Sequence, residues 1–268
     1  MNIHSFLVRG GNVEKVKLIR ENGVSTIKFN RPDSYNALDL ETLEKLLGIL
    51  NEIEGNNDRI VLLTGEGKAF CAGGDVSMMA VFKDMELFDR LMDTLEQITL
   101  KLYLLPKIVI AAVNGSAAGL GMSIALNSDY IVAQKDAKFG MLFAGIGLIP
   151  DGGGHFFLKE RLGTHQAKQF IWSLDQVHGE EAKKMGFVDI LTKGAAEEGA
   201  LQLAAKLQVS PLQAIIKTKM ILHHQQKEVL QYFLREEKRE QIEAALTKDH
   251  REGVRAFLEK RKPYFQGK

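Results

Sequence analysis

A chain of 268 residues with 35 basic and 34 acidic side chains carries a formal net charge of only +1, and its lysines and arginines are interspersed with acids. That balance excludes the clustered basic face of a nucleic-acid binder. The single cysteine, Cys71, excludes an internal disulfide framework and fits a reducing compartment. No run approaches the roughly 18 to 20 apolar residues of a membrane span, and Met1 to Arg20 lacks the apolar core of a signal peptide, so a soluble cytoplasmic protein without a membrane partner is expected. The length suits one large domain, or a main domain with a helical appendage, and a substantial core.

Met1 to Val13 shows no periodicity. VKLIRENGVSTIKFNRP then reads as a hairpin, with strands near Val16 to Arg20 and Val24 to Phe29 around a turn at Asn22 and Gly23. From Leu38 to Ile53, apolar residues at Leu43, Leu46, Leu47, Leu50 and Ile53 mark one helical face. IVLLTG is a short apolar run of the kind expected for a strand covered on both sides, and it leads into the glycine loop GEGKAFCAGGD. Val76 to Leu105 is helical in pattern, with Met78 and Met79 at its start. Pro106 restarts the chain, and KIVIAAVNG is a second buried strand.

Glycine then crowds against apolar runs from Asn114 to Gly154. Gly115, Gly119 and Gly121 precede MSIALNSDY, and backbone N–H groups at such a helix start are ready for a partial negative charge. IVA and KFG are strand-like. Asp151, between Pro150 and the glycines 152 to 154, stands before a helical run, HFFLKERLG, where an N-cap is the plainest role for an aspartate. Thr164 to Trp172 and Gly179 to Met185 read as helices, and GFVDIL as a short strand. From Glu197 to Leu258 nearly everything is helical, broken at Pro211, a tail able to fold back on the core or clasp a neighbouring subunit. No internal repeat is visible. Alternating strands and helices, with glycine turns after two strands, predict an α/β core with its site at strand ends. The histidines are scattered, so no metal site is expected.

Four segments carry a family resemblance. NRPDSYNAL (Asn30–Leu38), GKAFCAGGD (Gly67–Asp75), AAVNGSAAGLGMSIALNSDY (Ala111–Tyr130) and EGVRAFLEKRKPYF (Glu252–Phe265) lie where the crotonase family, the enoyl-CoA hydratase and isomerase superfamily, carries its motifs. The chain resembles that family along nearly its whole length. The resemblance implies repeated β-β-α units forming a spiral core over residues 1–195. It further implies a helical C-terminal trimerisation region over 196–268, in a homotrimer or a dimer of trimers. The implied partner is an acyl-CoA thioester, with coenzyme A present only as part of the substrate and no tightly bound cofactor.

By resemblance, the backbone N–H groups of Gly74 and Leu120 hold the thioester oxygen as an enolate forms. Asn36, Ala37, Leu38, Lys68, Ala69, Phe70 and Ala72 line the coenzyme path, and Asp75, Gly119, Ser123 and Phe143 complete the substrate set. Lys68 also reads as a solvated loop lysine. Lys260, Arg261 or Lys262 of a neighbouring tail is a candidate for a CoA phosphate. The family's hydratases use two glutamates, and this chain has Ser123 and Phe143 in those places. Some of its isomerases use one carboxylate just after the proline, the position of Asp151. Met122, Phe143 and Leu148 are expected to desolvate it, with His155 either bonded to it or at the surface.

The favoured reading is therefore an isomerase that shifts an enoyl-CoA double bond with Asp151 as its catalytic carboxylate. The alternatives are a hydratase using Asp151 and a water held by Ser123, a non-catalytic acyl-CoA binder, and a hydrolase with Ser123 as nucleophile. The hydrolase lacks an identifiable base among His155, His165 and His178.

Overall fold

The computed structural model describes residues 14–75 and 84–268. The readings of Met1 to Val13 and of Met78 and Met79 fall outside the described residues. A hairpin of β1 (Val16–Glu21) and β2 (Val24–Phe29) opens the chain, turning through Asn22 and Gly23, both at positive φ. Helix α1 (Leu40–Glu54) starts where Asp39 accepts from the Thr42 N–H at 2.8 Å, the bond expected of a capping aspartate. It buries Leu43, Leu46, Leu50 and Ile53 as its spacing predicts, together with Ile49, while Leu47 is only half-buried.

On the solvent side of α1, Gly48 has nothing within 4 Å of the place a Cβ would occupy. Gly48→Ala is expected to stabilise the protein by about 1 kcal/mol, the propensity difference in a helix interior. A rise in the urea midpoint with unchanged slope would show this, and no rise would mean that the exposed turn is not limited by backbone entropy.

Three pairs of strands follow: β3 (Ile60–Gly65) with β4 (Ala69–Cys71), β5 (Ile108–Val113) with β6 (Ser116–Ala118), and β7 (Tyr130–Gln134) with β8 (Lys138–Gly140). The first strand of each pair enters a six-stranded sheet of order β1-β2-β3-β5-β7-β10, with β10 at Ile190–Thr192, parallel apart from the opening hairpin. The second enters a four-stranded sheet of order β4-β6-β8-β9, with β9 at Val177–His178. Helix α2 (Met85–Tyr103) follows the first pair, α3 (Leu120–Leu126) the second, and a 3-10 segment (Leu142–Ile146) with α4 (Gly154–Ser173) the third. A β-β-α unit thus recurs in space although no repeat is visible in sequence. What recurs is strand direction and apolar filling, which many side chains satisfy.

Strands β3 and β5 are buried at every residue, as expected of parallel strands covered on both faces. Their alternate residues face two cores. Val61, Leu63, Val109 and Ala111 pack in the larger core with α1 and α2, and Ile60, Leu62, Ile108 and Ile110 pack against α6 (Ala196–Gln208). Helix α6 presents Ala196, Ala200, Ala204 and Leu207 to the sheet, a stripe at helical spacing whose alanines allow close approach.

The two helices read from HFFLKERLG and Thr164 to Trp172 are joined as α4, broken at Gly163, where φ is 73° and ψ 160°. Strand β9 (Val177–His178), α5 (Gly179–Met185) and β10 (Ile190–Thr192) lead to the C-terminal helices α6, α7 (Leu212–Ala245) and α8 (Lys248–Leu258). These fold back on the core. Lys219 of α7 is buried and donates to the Lys107 carbonyl and to Asp129, both at 2.8 Å. Further along, Lys238 meets Asp89 at 3.0 Å and Asp93 at 2.7 Å on α2. Helix α7 is pinned along its length.

Candidate active site

The site begins with two turns brought unusually close. Strand β4 pairs in parallel with β6, so the turn at Ala72 to Asp75 meets the start of α3. Gly121 makes the approach possible, because a Cβ there would stand 2.3 Å from the Cys71 carbonyl oxygen. Gly73, at φ 95°, would place a Cβ 2.7 Å from the Ala118 oxygen and 3.3 Å from the Leu120 nitrogen, a conformation open only to glycine. No hydrogen bond among the described residues takes up the N–H of Gly74 or of Leu120. Since α3 has only seven residues, what it offers a ligand is the N–H itself rather than the field of a long helix.

A third strand of chain locks this geometry. The Leu38 N–H donates to the Gly73 carbonyl at 2.8 Å, and the Asp75 N–H donates to the Leu38 carbonyl at 2.9 Å. Arg31 reaches Asp75 at 2.9 Å and the Ala37 carbonyl at 2.5 Å. Asn36, buried and at φ 58°, donates to the carbonyls of Glu66 and Ala69 and accepts from the Arg31 N–H. Asn36, Ala37, Leu38, Ala69, Ala72 and Asp75 are therefore one connected edge. Asn36 has its side chain committed to holding it, which leaves backbone for a ligand. Lys68 is exposed, while Phe70 is in the core, edge-on to Phe29 at 5.7 Å. Arg31 was missed in the sequence, although it stands inside NRPDSYNAL. Arg261 in the tail is taken by Glu252 and Glu259.

Beside the turns lies a cavity of about 440 Å³. Ala72, Gly73, Gly74, Gly119 and Leu120 form one wall, and Leu91 and Leu95 of α2 another. Leu142, Phe143, Ile146 and Leu148 close it with Val254 and Phe257 of α8, and among the described residues the polar side chains facing it are Asp151 and Gln241. Phe143 and Leu148 line it beside Asp151. Met122 does not: it is fully buried in the larger core, because its position on α3 faces away from the turn. Ser123 is also fully buried and does not line the cavity. Its hydroxyl has no partner, and a Cβ on Gly154 would stand 2.7 Å from it. No residue among the described ones bonds to it, so none of them is placed as the base of a nucleophilic serine.

Asp151 does not cap α4. The capping residue is Gly153 at φ 82°, with no side-chain cap of its own. Glu237 of α7 takes that part, its carboxylate accepting from the Gly153 N–H at 2.8 Å and the His155 N–H at 3.2 Å. His155 is neither bonded to Asp151 nor merely at the surface, for its Nδ1 lies 2.9 Å from Glu237. The Asp151 Oδ2 accepts from the Gln241 Nε2 at 3.1 Å, and Oδ1 meets neither a donor nor solvent. Burial, then the charge of Glu237, pushes its carboxyl up to about 7. Glu237 and Gln241 were not found from sequence. Their signal is that they fall on the buried stripe Leu230, Leu234, Glu237, Gln241 and Ala245, where a helix otherwise places apolar side chains.

The architecture defines the class. It matches the crystal structure of an enoyl-CoA hydratase from Mycobacterium avium subsp. paratuberculosis K-10 with a TM-score of 0.86 and 27% identity, covering 95% of this chain and 99% of that one. Residues 19–268 match the family model described as enoyl-CoA hydratase/isomerase. YhaR of Bacillus subtilis (strain 168), named for that same pair of activities, is 46% identical over 95% of this chain and 100% of its own length. The 1,2-epoxyphenylacetyl-CoA isomerase of Escherichia coli (strain K12) is 35% identical over 92% of this chain and 97% of its own length. The 2,3-dehydroadipyl-CoA hydratase of the same organism is 34% identical over 93% and 97%. The chain belongs to the enoyl-CoA hydratase/isomerase family, whose crotonase-type enzymes act on CoA thioesters. Among the described residues no cluster of three His, Cys, Asp or Glu side chains is arranged to hold a metal, and no helix is long and apolar enough to cross a membrane.

Proposed function

We propose that this enzyme moves the double bond of an enoyl-CoA from the 3 to the 2 position, with Asp151 carrying the proton. The observation that carries this is one carboxylate, raised to about 7 by burial and the charge of Glu237, in the wall of a largely apolar cavity whose other polar side chain among the described residues is the neutral Gln241. Asp151 as the carboxylate removes a proton from C2, and the electron pair flows to the thioester oxygen. The Gly74 and Leu120 N–H groups receive that oxygen, and the protonated Asp151 then delivers its proton to C4 of the dienolate. One carboxyl group performs both halves, and nothing is gained or lost overall. A group titrating near the working pH is suited to give and take with equal ease.

The coenzyme would run along the backbone of Asn36 to Leu38 and of Lys68 to Ala72. Exposed apolar side chains on the C-terminal helices and tail, among them Ile221, Leu222, Leu246, Leu258 and Tyr264, support a homotrimer or a dimer of trimers. Hydration would require a second proton-handling group at the cavity, and Phe143 stands where a hydratase of this family has a glutamate. The test is incubation with 3-enoyl-CoA and, separately, 2-enoyl-CoA in heavy water, followed by mass spectrometry. Migration of the double bond without gain of water is expected. A product carrying an added water would overturn the proposal in favour of the hydratase, and an unchanged substrate in both tubes would favour a binder.

A further inference from the structure

We propose that Gln241 and Glu237, one helical turn apart on α7, are positioning residues for Asp151, the first fixing its carboxyl group and the second relieving it of the α4 N-terminus. The inference rests on the reading of Asp151 as the proton carrier. Gln241 is held at both ends of its amide: Oε1 accepts from the Ile149 N–H at 3.1 Å, and Nε2 donates to Asp151 Oδ2 at 3.1 Å. Because the oxygen is committed to Ile149, the amide can only donate toward Asp151. It therefore favours the ionised carboxylate and restricts rotation of the carboxyl group.

Glu237 acts from the other side. Asp151 stands just before the α4 N-terminus, where an aspartate ordinarily turns its oxygens to the free N–H groups. Here those donors are occupied by Glu237, which is itself buried and braced by His155. Capping is thus performed from α7, and Asp151 keeps its side chain for the cavity. The cost is a second carboxylate close by, and that charge holds the proton on Asp151 more tightly.

Among the described residues, few groups surround Asp151. Helix α7 brings Glu237 and the neutral Gln241, α4 brings His155 against Glu237, and α3 brings the uncharged Ser123. The 3-10 segment and α8 bring Phe143, Ile146, Val254 and Phe257. Gln241 and Glu237 therefore pull the titration of Asp151 in opposite directions.

The experiment compares kcat and KM against pH for the full-length enzyme, Asp151→Asn, Gln241→Met, Gln241→Glu and Glu237→Gln on a 3-enoyl-CoA. Gln241→Met keeps the volume but removes the donor. A fall in kcat of about 10-fold or more with KM little changed is expected, with the midpoint of the kcat profile moving to higher pH. Glu237→Gln keeps an oxygen for the α4 N–H groups and removes the charge, so its midpoint moves to lower pH. Gln241→Glu keeps the acceptor for Ile149, moves the midpoint upward like Gln241→Met, and covers the case in which that variant fails to fold.

Opposite shifts from two neighbours on one helix are not produced by a role confined to stability. Midpoints that stay at the parental value, or shift together, would overturn the inference. Full turnover in Asp151→Asn would instead remove the proton-carrier reading beneath it.

Discussion

Asp151→Asn is expected to lower turnover on a 3-enoyl-CoA by about 10² to 10⁴-fold, the range for loss of a positioned acid-base group, with little change in KM. The same substitution is expected to make the protein more stable above neutrality. In the unfolded chain the aspartate titrates near about 3.9, whereas in the fold burial and Glu237 push it to about 7. Below the unfolded value both states are protonated and the carboxyl carries no penalty. As pH rises from there to the folded value, the unfolded chain releases its proton while the folded one retains it. Stability therefore falls with rising pH at up to about 1.4 kcal/mol per unit and levels off above the folded value.

Asparagine has no such proton, so Asp151→Asn escapes that loss. The Tm of the variant should match the parent's below about pH 4 and exceed it by about 10 °C near pH 8, since about 3 pH units between the two values give about 4 kcal/mol, at about 2 to 4 °C per kcal/mol for a chain of this size. A Tm difference that does not vary with pH would mean that the carboxyl is solvated and unsuited to its role.

Gly121→Ala is expected to damage both stability and turnover. A Cβ at that position meets the Cys71 carbonyl oxygen at 2.3 Å and the Cys71 Cβ at 2.8 Å. The oxygen is backbone, so no rotamer relieves the contact, and α3 must shift away from β4. A loss of about 3 kcal/mol or more is expected, at the upper end of ordinary overpacking. The shift also parts the Leu120 N–H from the Gly74 N–H, and misplacing one such donor is expected to lower kcat by about 10² to 10³-fold. The urea midpoint and kcat measured well below Tm give the two effects separately. A stable, folded variant with parental kcat would show that the two donors do not depend on this spacing.

Legibility from sequence followed length and periodicity. The opening hairpin, α1, β3 and β5 were readable because six or more residues repeat a pattern that a strand or helix must satisfy. Strands β4 and β6 are three residues long and β9 only two, shorter than any period, so of the second sheet only β8, the KFG piece, was legible, and β4 and β6 lay hidden in what reads as glycine loop. The roles given to Gly74, Leu120 and Asp151 came from family resemblance, not from spacing. Spacing alone favoured Asp151 as a helix cap, and that reading fails for a nonlocal reason: the cap arrives from Glu237, more than 80 residues away in sequence. No local rule anticipates such an acceptor. Two polar residues on the buried stripe of α7 were nevertheless visible, and a polar residue at a core position is itself a reason to look for a partner.

That α7 both caps α4 and fixes Asp151 bears on how the site comes into being during synthesis. The sheets and the two glycine turns are complete once the chain has passed β10, and an N-terminal portion emerging from the ribosome is able to collapse around them. The carboxyl group proposed to carry the proton is not yet placed. Until Glu237 and Gln241 have been made and α7 has docked, the α4 N-terminus is free to take the Asp151 side chain for itself. A nascent or C-terminally truncated chain should therefore form the two glycine turns while the Asp151 carboxyl rests in the wrong place, and docking of the last turns of α7 is expected to be the step that completes the proposed site.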